Sequence, residues 1–125
     1  MKKKIFVIDD DSLARQMIVA ALEEEGHEVL AFSEFESLLQ ELHRSLPDLV
    51  MTDVVMPKVS GFDVCRKIKE TFGSHSPPVI VMTAKFDAVD PIQARRMGAD
   101  DFVVKTSDMA VLTQAVRKIF SCHNS

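Results

Sequence analysis

Short apolar runs that end abruptly in a polar residue constrain the fold of this chain more than any other feature. Five such runs occur, at residues 5–8, 28–31, 49–52, 79–82 and 102–104. A strand is apolar along its whole length when helices cover both faces of its sheet, as they do in parallel sheets. The run at 28–31 begins with a glutamate and is the weakest. The pattern predicts five strands, most of them buried on both faces.

Segments in which apolar residues recur at helical spacing separate and follow these runs. Each begins near residues that favour a helix start: Ser12, the capping-box pattern at 33–36, Ser60 with Gly61, Asp90 with Pro91, and Ser107. The fourth of these segments, at 87–98, is short. Strands that alternate with helices form a parallel sheet with helices on both faces, joined by right-handed crossovers. We therefore predict one α/β domain over residues 1–125, with no output domain.

Polar residues lie at the carboxyl ends of four of the predicted strands. Asp9 and Asp10 follow the first strand, Asp53 ends the third, Thr83 ends the fourth and Lys105 ends the fifth. Each of these alone is usually a turn, cap or solvent-facing residue. Together they share one edge of a parallel sheet, which is where ligands bind in open α/β folds. Three acids, a hydroxyl and an ammonium at that edge rarely coincide by chance, so they predict a functional site.

The residue types at this edge suit phosphoryl transfer. Clustered carboxylates repel one another, and Mg²⁺, which prefers carboxylate and water oxygens, relieves that repulsion. A carboxylate beside such a metal is a competent nucleophile that forms an acyl phosphate. We predict that Asp53 accepts a phosphoryl group while Lys105 and Thr83 contact its oxygens.

Composition limits the other classes of function. The net charge of −4 gives no reason to expect direct binding of nucleic acid. No apolar run approaches the roughly 20 residues of a transmembrane helix, so membrane insertion is not expected. The two cysteines, Cys65 and Cys122, suggest reduced thiols in a cytoplasmic protein, with Cys65 in the core.

The sequence resembles the CheY-like receiver domain of two-component response regulators over essentially its whole length. The segments that carry the resemblance are 7–11, 53–57 with Gly61, 81–84, 98–102 and 104–105. The resemblance implies a flavodoxin-like (βα)5 fold with strand order 2-1-3-4-5. It also implies a signalling domain rather than an enzyme, because a receiver catalyses only its own phosphorylation and dephosphorylation.

The resemblance assigns roles to residues by matching position. It makes Asp53 the phosphoacceptor, with Thr83 and Lys105 as contacts of the phosphoryl group. The implied metal site consists of Asp9, acting largely through water, Asp10, Asp53 and the main-chain carbonyl of Val55. Phe102 falls at the position of an aromatic switch, which moves inward when Thr83 shifts toward the phosphate.

The resemblance also implies partners. A sensor histidine kinase or a histidine phosphotransfer protein would donate the phosphoryl group, meeting the surface of the first helix near Arg15. The surface formed by the fourth helix, fifth strand and fifth helix would then bind a downstream protein that the sequence does not identify.

Three residues depart from the pattern of the family. Thr106 follows Lys105 where the family usually has a cis-proline, and a cis bond before any other residue costs about 3 kcal/mol, which affects how far Lys105 reaches. Val55 stands where an amide or polar side chain is common. Lys85 lies two residues past Thr83, where it would cover the phosphoryl group. We expect Val55 and Lys85 to lengthen the lifetime of the acyl phosphate.

Two alternatives remain open at this point. The acidic segment 9–12 also resembles the opening motif of haloacid-dehalogenase-type phosphatases, in which Asp9 would be the nucleophile. The chain is short for that family, and Asp53 would then have no role. The second alternative is a pseudo-receiver that binds partners without being phosphorylated, for which the departures at Thr106 and Val55 are the support.

Overall fold

The computed structural model describes residues 2–84, 92, 96, 98–105 and 108–123, which form a sheet of five strands flanked by helices. The strands are β1 Lys4–Ile8, β2 Glu28–Phe32, β3 Leu49–Asp53, β4 Val79–Thr83 and β5 Asp101–Val104. All neighbouring strands are parallel, and their order is β2-β1-β3-β4-β5. The predicted flavodoxin-like architecture and its strand order are confirmed.

Helices join and follow the strands. They are α1 Ser12–Glu24, α2 Phe35–Arg44, α3 Gly61–Phe72, a short 3₁₀ turn at Gly73–His75 and a C-terminal helix at Ala110–His123. The helix predicted at 87–98 lies mostly outside the described residues, although Ile92 and Arg96 within it are helical. The predicted cap Ser107 is also outside them. No helix in the described part of the chain is long and apolar enough to cross a bilayer.

Two of the predicted helix starts are wrong in detail. Asp11, not Ser12, caps α1, because its carboxylate accepts a main-chain N–H of the first turn while Ser12 is already helical. Helix α2 follows Glu34 and has no side-chain cap, so the capping box at 33–36 does not form. The helix begins one residue later than that motif requires, which puts the serine out of register. Ser60 caps α3 as predicted.

Two apolar cores lie on opposite faces of the sheet. Helix α1 and the C-terminal helix cover one face, and α2 and α3 cover the other. Cys65 is fully buried in the second core, as predicted, and is a free thiol. Leu46 lies past the end of α2 at Arg44 and is 39% exposed. Met17 lies at the edge of the buried stripe of α1 and is 37% exposed.

The strand order brings the polar strand ends together. Asp53 ends β3, and Asp9 follows β1, which is the neighbour of β3. Thr83 ends β4, and Lys105 follows β5 on the far side of β4. The chain leaves β1 for β2 on one side and returns to β3 on the other. Open α/β sheets bind ligands at this reversal of strand order.

Candidate functional site

Three carboxylates meet at the carboxyl edge of the sheet. Asp9, Asp10 and Asp53 each offer an oxygen, and these oxygens lie within 4.8 Å of one another. Asp9 and Asp53 are buried, whereas Asp10 is exposed. Hard oxygen donors at this spacing suit Mg²⁺, which takes one or two carboxylates and keeps several waters. The donor set therefore fits the metal that the sequence predicts.

Hydrogen bonds to both its main chain and its carboxylate fix the position of Asp9. Its N–H donates to the carbonyl of Phe32 at 3.1 Å, which ties the end of β1 to β2. Its carboxylate accepts the N–H of Asp11 at 3.0 Å and Nζ of Lys105 at 2.8 Å. Its main-chain carbonyl accepts Nη1 of Arg15 at 2.7 Å. Both carboxylate oxygens of Asp9 therefore have hydrogen-bond donors within the protein.

Lys105 bridges two of the carboxylates across β4. Its Nζ lies 2.8 Å from Oδ2 of Asp9 and 3.5 Å from Oδ1 of Asp53, and its side chain is 12% exposed. Burial on its own lowers the pKa of Lys105, but the hydrogen bond to Asp9 and the charges of both carboxylates raise that pKa above its ordinary value. Lys105 is therefore charged at neutral pH and close to any group carried by Asp53.

The environment of Asp53 disfavours its negative charge. Burial raises the pKa of this carboxyl from an ordinary 3.8 to about 6, with the charge of Asp9 acting in the same direction and Lys105 acting against both. At neutral pH Asp53 is still mostly ionised, so it is available as a nucleophile. Its charge is only partly compensated in the absence of a metal ion, which is a reason for a cation to bind here.

Two further predicted site residues lie on the strands beside Asp53. Thr83 is buried at the end of β4. Phe102 is part-buried in β5 and packs against the small apolar cluster of Val54 and Val81. The predicted switch movement itself is not tested by this arrangement.

Of the three residues that depart from the family pattern, Val55 lies among the described residues and the other two do not. Val55, two residues past Asp53, is 66% exposed, so its side chain faces solvent. Lys85 and Thr106 lie outside the described residues, and so does the bond between Lys105 and Thr106. The predicted effect of Val55 and Lys85 on the lifetime of an acyl phosphate stays a prediction.

Gly61 lets helix α3 start against the back of Asp53. A Cβ at Gly61 would overlap the main-chain oxygen of Asp53, and the N–H of Gly61 donates to the carbonyl of Val54 at 2.8 Å. Sequence reasoning treated this glycine as a helix start and a family motif, without a spatial reason. Its close approach to the main chain of Asp53 becomes visible only when α3 is folded onto β3.

A cavity of about 370 Å³ adjoins the site at Asp10. The cavity lies between the loop after β2 and the loop after β3, with Ile8, Phe35 and Met56 among its apolar lining residues. The exposed carboxylate of Asp10 is one of its walls. A hydrated ion can therefore approach Asp10 without rearrangement of the core.

The fold and the acidic crevice define the doubly wound α/β class that carries its site at the reversal of strand order. A family model described as the response regulator receiver domain matches residues 5–117. The chain belongs to the response regulator receiver domain family, and the resemblance is confirmed. It is thus a signalling domain of two-component systems, and the family match gives no support to a phosphatase.

Relatives of known name agree with this assignment. The chain is 35% identical over 115 residues to the transcriptional regulatory protein AfsQ1 of Streptomyces coelicolor, covering 92% of this chain and 50% of the relative. It is 33% identical over 117 residues to the DNA-binding response regulator MtrA of Mycolicibacterium smegmatis, covering 94% and 50%. The response regulator TrrA of Thermotoga maritima, solved in complex with Mg²⁺ and BeF, superposes with a TM-score of 0.83 at 29% identity, covering 94% of this chain and 98% of that one.

The chain spans about half the length of the curated relatives it matches. Some of those relatives are DNA-binding regulators by name. The expectation that nucleic acid is not bound rested on the net charge of these 125 residues alone. It is not supported for a protein of this family, because the matched region is only the receiver domain.

Proposed function

We propose that this receiver accepts a phosphoryl group on Asp53 from a phosphohistidine donor in a reaction that requires Mg²⁺. The observation that carries the proposal is the placement of one buried carboxylate, Asp53, beside two further acids and 3.5 Å from the ammonium of Lys105. The carboxylates supply metal ligands and a nucleophile, and the ammonium supplies a fixed positive charge. Phosphoryl transfer depends on such positioning and electrostatic stabilisation.

The transfer balances without any further reactant. A carboxylate oxygen of Asp53 attacks the phosphorus, and the bond from phosphorus to the imidazole nitrogen of the donor breaks. The nitrogen keeps the bonding electron pair and takes up a proton. Lys105 stands where it can bind one phosphoryl oxygen, and Thr83, at the end of the neighbouring strand β4, is proposed to donate its hydroxyl to another.

The proposed metal ligands are Asp10, Asp53 and the main-chain carbonyl of Val55, with Asp9 acting through water. Mg²⁺ at this site would neutralise negative charge on the transferring oxygens and on the carboxylates themselves. Asp10 supports the proposal because it is exposed beside an open cavity and has no ion-pair partner among the described residues. TrrA, with Mg²⁺ and BeF in its structure, supports the same choice of metal.

Phosphorylation is proposed to act on the surface near β5. It replaces the single negative charge of the Asp53 carboxylate by a phosphoryl group that carries up to two. This group draws Thr83 toward it and leaves space for Phe102 to turn inward. The part-buried position of Phe102 against Val54 and Val81 supports this role. The changed surface of the fourth helix, β5 and the C-terminal helix would then bind a downstream partner.

The partners follow from this chemistry. The donor is a sensor histidine kinase or a histidine phosphotransfer protein, and a receiver that exchanges with such donors works in the cytoplasm. The buried free thiol of Cys65 agrees with a reducing compartment. Residues 1–125 are proposed to act as one receiver domain, and any nucleic-acid binding would belong to further parts of a longer protein, as the name of MtrA indicates for that relative.

The test is the intact mass of the protein after incubation with acetyl phosphate and Mg²⁺. We expect wild type to gain one phosphoryl group, and the gain to be absent with a chelator or in Asp53→Asn. Asp63→Asn, which changes an exposed carboxylate on α3, is the matched control and should be labelled like wild type. Hydroxylamine should remove the group, because an acyl phosphate reacts with it.

The pseudo-receiver would be favoured if wild type gained no mass from acetyl phosphate or from a phosphohistidine donor while a known receiver was labelled in parallel. Label that persists in Asp53→Asn but disappears in Asp9→Asn would place the nucleophile at the first strand instead.

A further inference from the structure

Arg15 binds the main chain of the acidic site and none of its carboxylates. Its Nη1 donates to the main-chain carbonyl of Asp9 at 2.7 Å. Arg15 forms no ion pair with any residue in the described part of the chain. A guanidinium next to three clustered acids would ordinarily pair with one of them. Here its hydrogen bond goes to a main-chain carbonyl and takes up none of the three carboxylates.

The contact closes the turn that carries Asp10. The main-chain N–H of Arg15 donates to the carbonyl of Asp11 at 2.9 Å, while its side chain reaches back across six residues to Asp9. Asp10 therefore lies between two residues that are both joined to Arg15. Its own carboxylate is exposed, and no described side chain holds it. The position of that carboxylate depends on the main chain of the turn.

Arg15 affects a bound cation in two opposite ways. Its positive charge repels Mg²⁺, so charge alone predicts that removing Arg15 would tighten binding. Its hydrogen bond to the Asp9 carbonyl comes from a charged donor, which makes it stronger than a neutral one, and it orders the turn before the metal arrives. Contacts that orient metal ligands from outside typically change metal affinity 10- to 100-fold when they are removed.

We infer that Arg15 is a positioning residue for the metal site, which holds the turn after β1 so that Asp10 faces Mg²⁺. This goes beyond the sequence-based expectation that the surface near Arg15 meets a phosphodonor. It rests on the proposed function, because it needs Asp10 to be a metal ligand. The sign of the effect on Mg²⁺ affinity separates positioning from simple electrostatics.

The experiment is calorimetric titration of the unphosphorylated protein with magnesium chloride, with no phosphodonor present. We expect Arg15→Gln to weaken Mg²⁺ binding about tenfold, at the lower end of the range for orienting contacts. Arg15→Lys keeps the charge and one donor, so its Kd should fall between those of wild type and Arg15→Gln. Arg44→Gln removes the same charge from the exposed face of α2 and should bind like wild type.

Urea unfolding without Mg²⁺ establishes that each variant is folded, and Arg15→Lys carries the comparison if Arg15→Gln does not fold. The inference would be overturned if Arg15→Gln bound Mg²⁺ as tightly as wild type or more tightly. If Arg15→Gln does not fold, the inference would be overturned by an Arg15→Lys variant that binds Mg²⁺ as tightly as wild type. Asp10→Asn separates the two proposals. If wild type binds Mg²⁺ no more tightly than Asp10→Asn, the proposed metal site itself is refuted. If wild type binds Mg²⁺ more tightly than Asp10→Asn but substitution of Arg15 has no effect, only the role of Arg15 is refuted.

Discussion

The metal-free protein should become more stable when Asp53 loses its charge. In the fold, burial and the neighbouring Asp9 raise the pKa of Asp53 from 3.8 to about 6. The side chain is only 10% exposed, so solvent screens this effect little. A shift of about two pKa units corresponds to about 3 kcal/mol in the free energy of unfolding when the group is fully ionised in both states. Asp53→Asn, which is neutral at every pH and nearly the same shape, should recover that amount.

The sign of the pH dependence follows from the direction of the shift. A carboxyl whose pKa is raised by folding lowers the free energy of unfolding at pH values where the folded protein ionises that carboxyl. For Asp53 this is above about pH 6. The cost declines as the pH falls from 6 toward 4 and is absent below the unfolded value of 3.8. The stability gained by Asp53→Asn should therefore be about 3 kcal/mol at pH 7 to 8 and close to zero near pH 4.

The assay is urea unfolding in the presence of a chelator, across pH 4 to 8. Far-ultraviolet circular dichroism is the suitable signal because the chain has no tryptophan or tyrosine. Glu24→Gln, which removes an exposed carboxylate at the end of α1, is the control and should change stability by less than about 0.5 kcal/mol. Equal stability of wild type and Asp53→Asn at pH 7, or a difference that does not shrink toward pH 4, would refute the reasoning.

Three further changes test other parts of the structure by the same unfolding assay or by thiol labelling. Gly61→Ala should lower the free energy of unfolding by about 3 kcal/mol, because its Cβ would overlap the main chain of Asp53. Gly26→Ala, at φ 94° with open space around it, should lower it by about 1 kcal/mol. Equal losses would argue against the close packing of α3 on β3. Leu42→Ala, at a fully buried site in α2, should cost about 2–5 kcal/mol, and a loss below 1 kcal/mol would contradict the packing of α2 on the sheet. Burial raises the pKa of the Cys65 thiol to about 11. In a variant whose other cysteine is replaced by serine, thiol labelling at pH 8 should therefore be slow until urea unfolds the chain. Rapid labelling of the folded protein would show that Cys65 is accessible.

The amino-acid sequence by itself determined the strands and the chemical content of the site. Continuous apolar runs are compatible with strands covered on both faces, and a polar residue after each run marks where the strand leaves the core. For that reason the strand ends at Asp53, Thr83 and Lys105, and the core position of Cys65, follow from pattern alone. These inferences depend on local periodicity and on the cost of burying an unpaired charge, both of which can be read one segment at a time.

Helix capping already required three-dimensional information. Ser12 and Asp11 are both good capping residues, and the sequence does not distinguish them. In the folded chain the carboxylate of Asp9 accepts the N–H of Asp11, which sets the turn and makes Asp11 the cap. The capping box expected before α2 fails for a similar reason, since the motif is one residue out of register with the first turn of the helix.

Only the tertiary structure decided how the site is held and charged. The bonds from Lys105 and Arg15 to Asp9 join residues 96 and 6 positions apart, and no periodic pattern reports such distances. The raised pKa of Asp53 likewise comes from burial together with charges delivered by other strands. Strand ends are encoded locally, but the field at a site is the sum over every element that the fold brings near it.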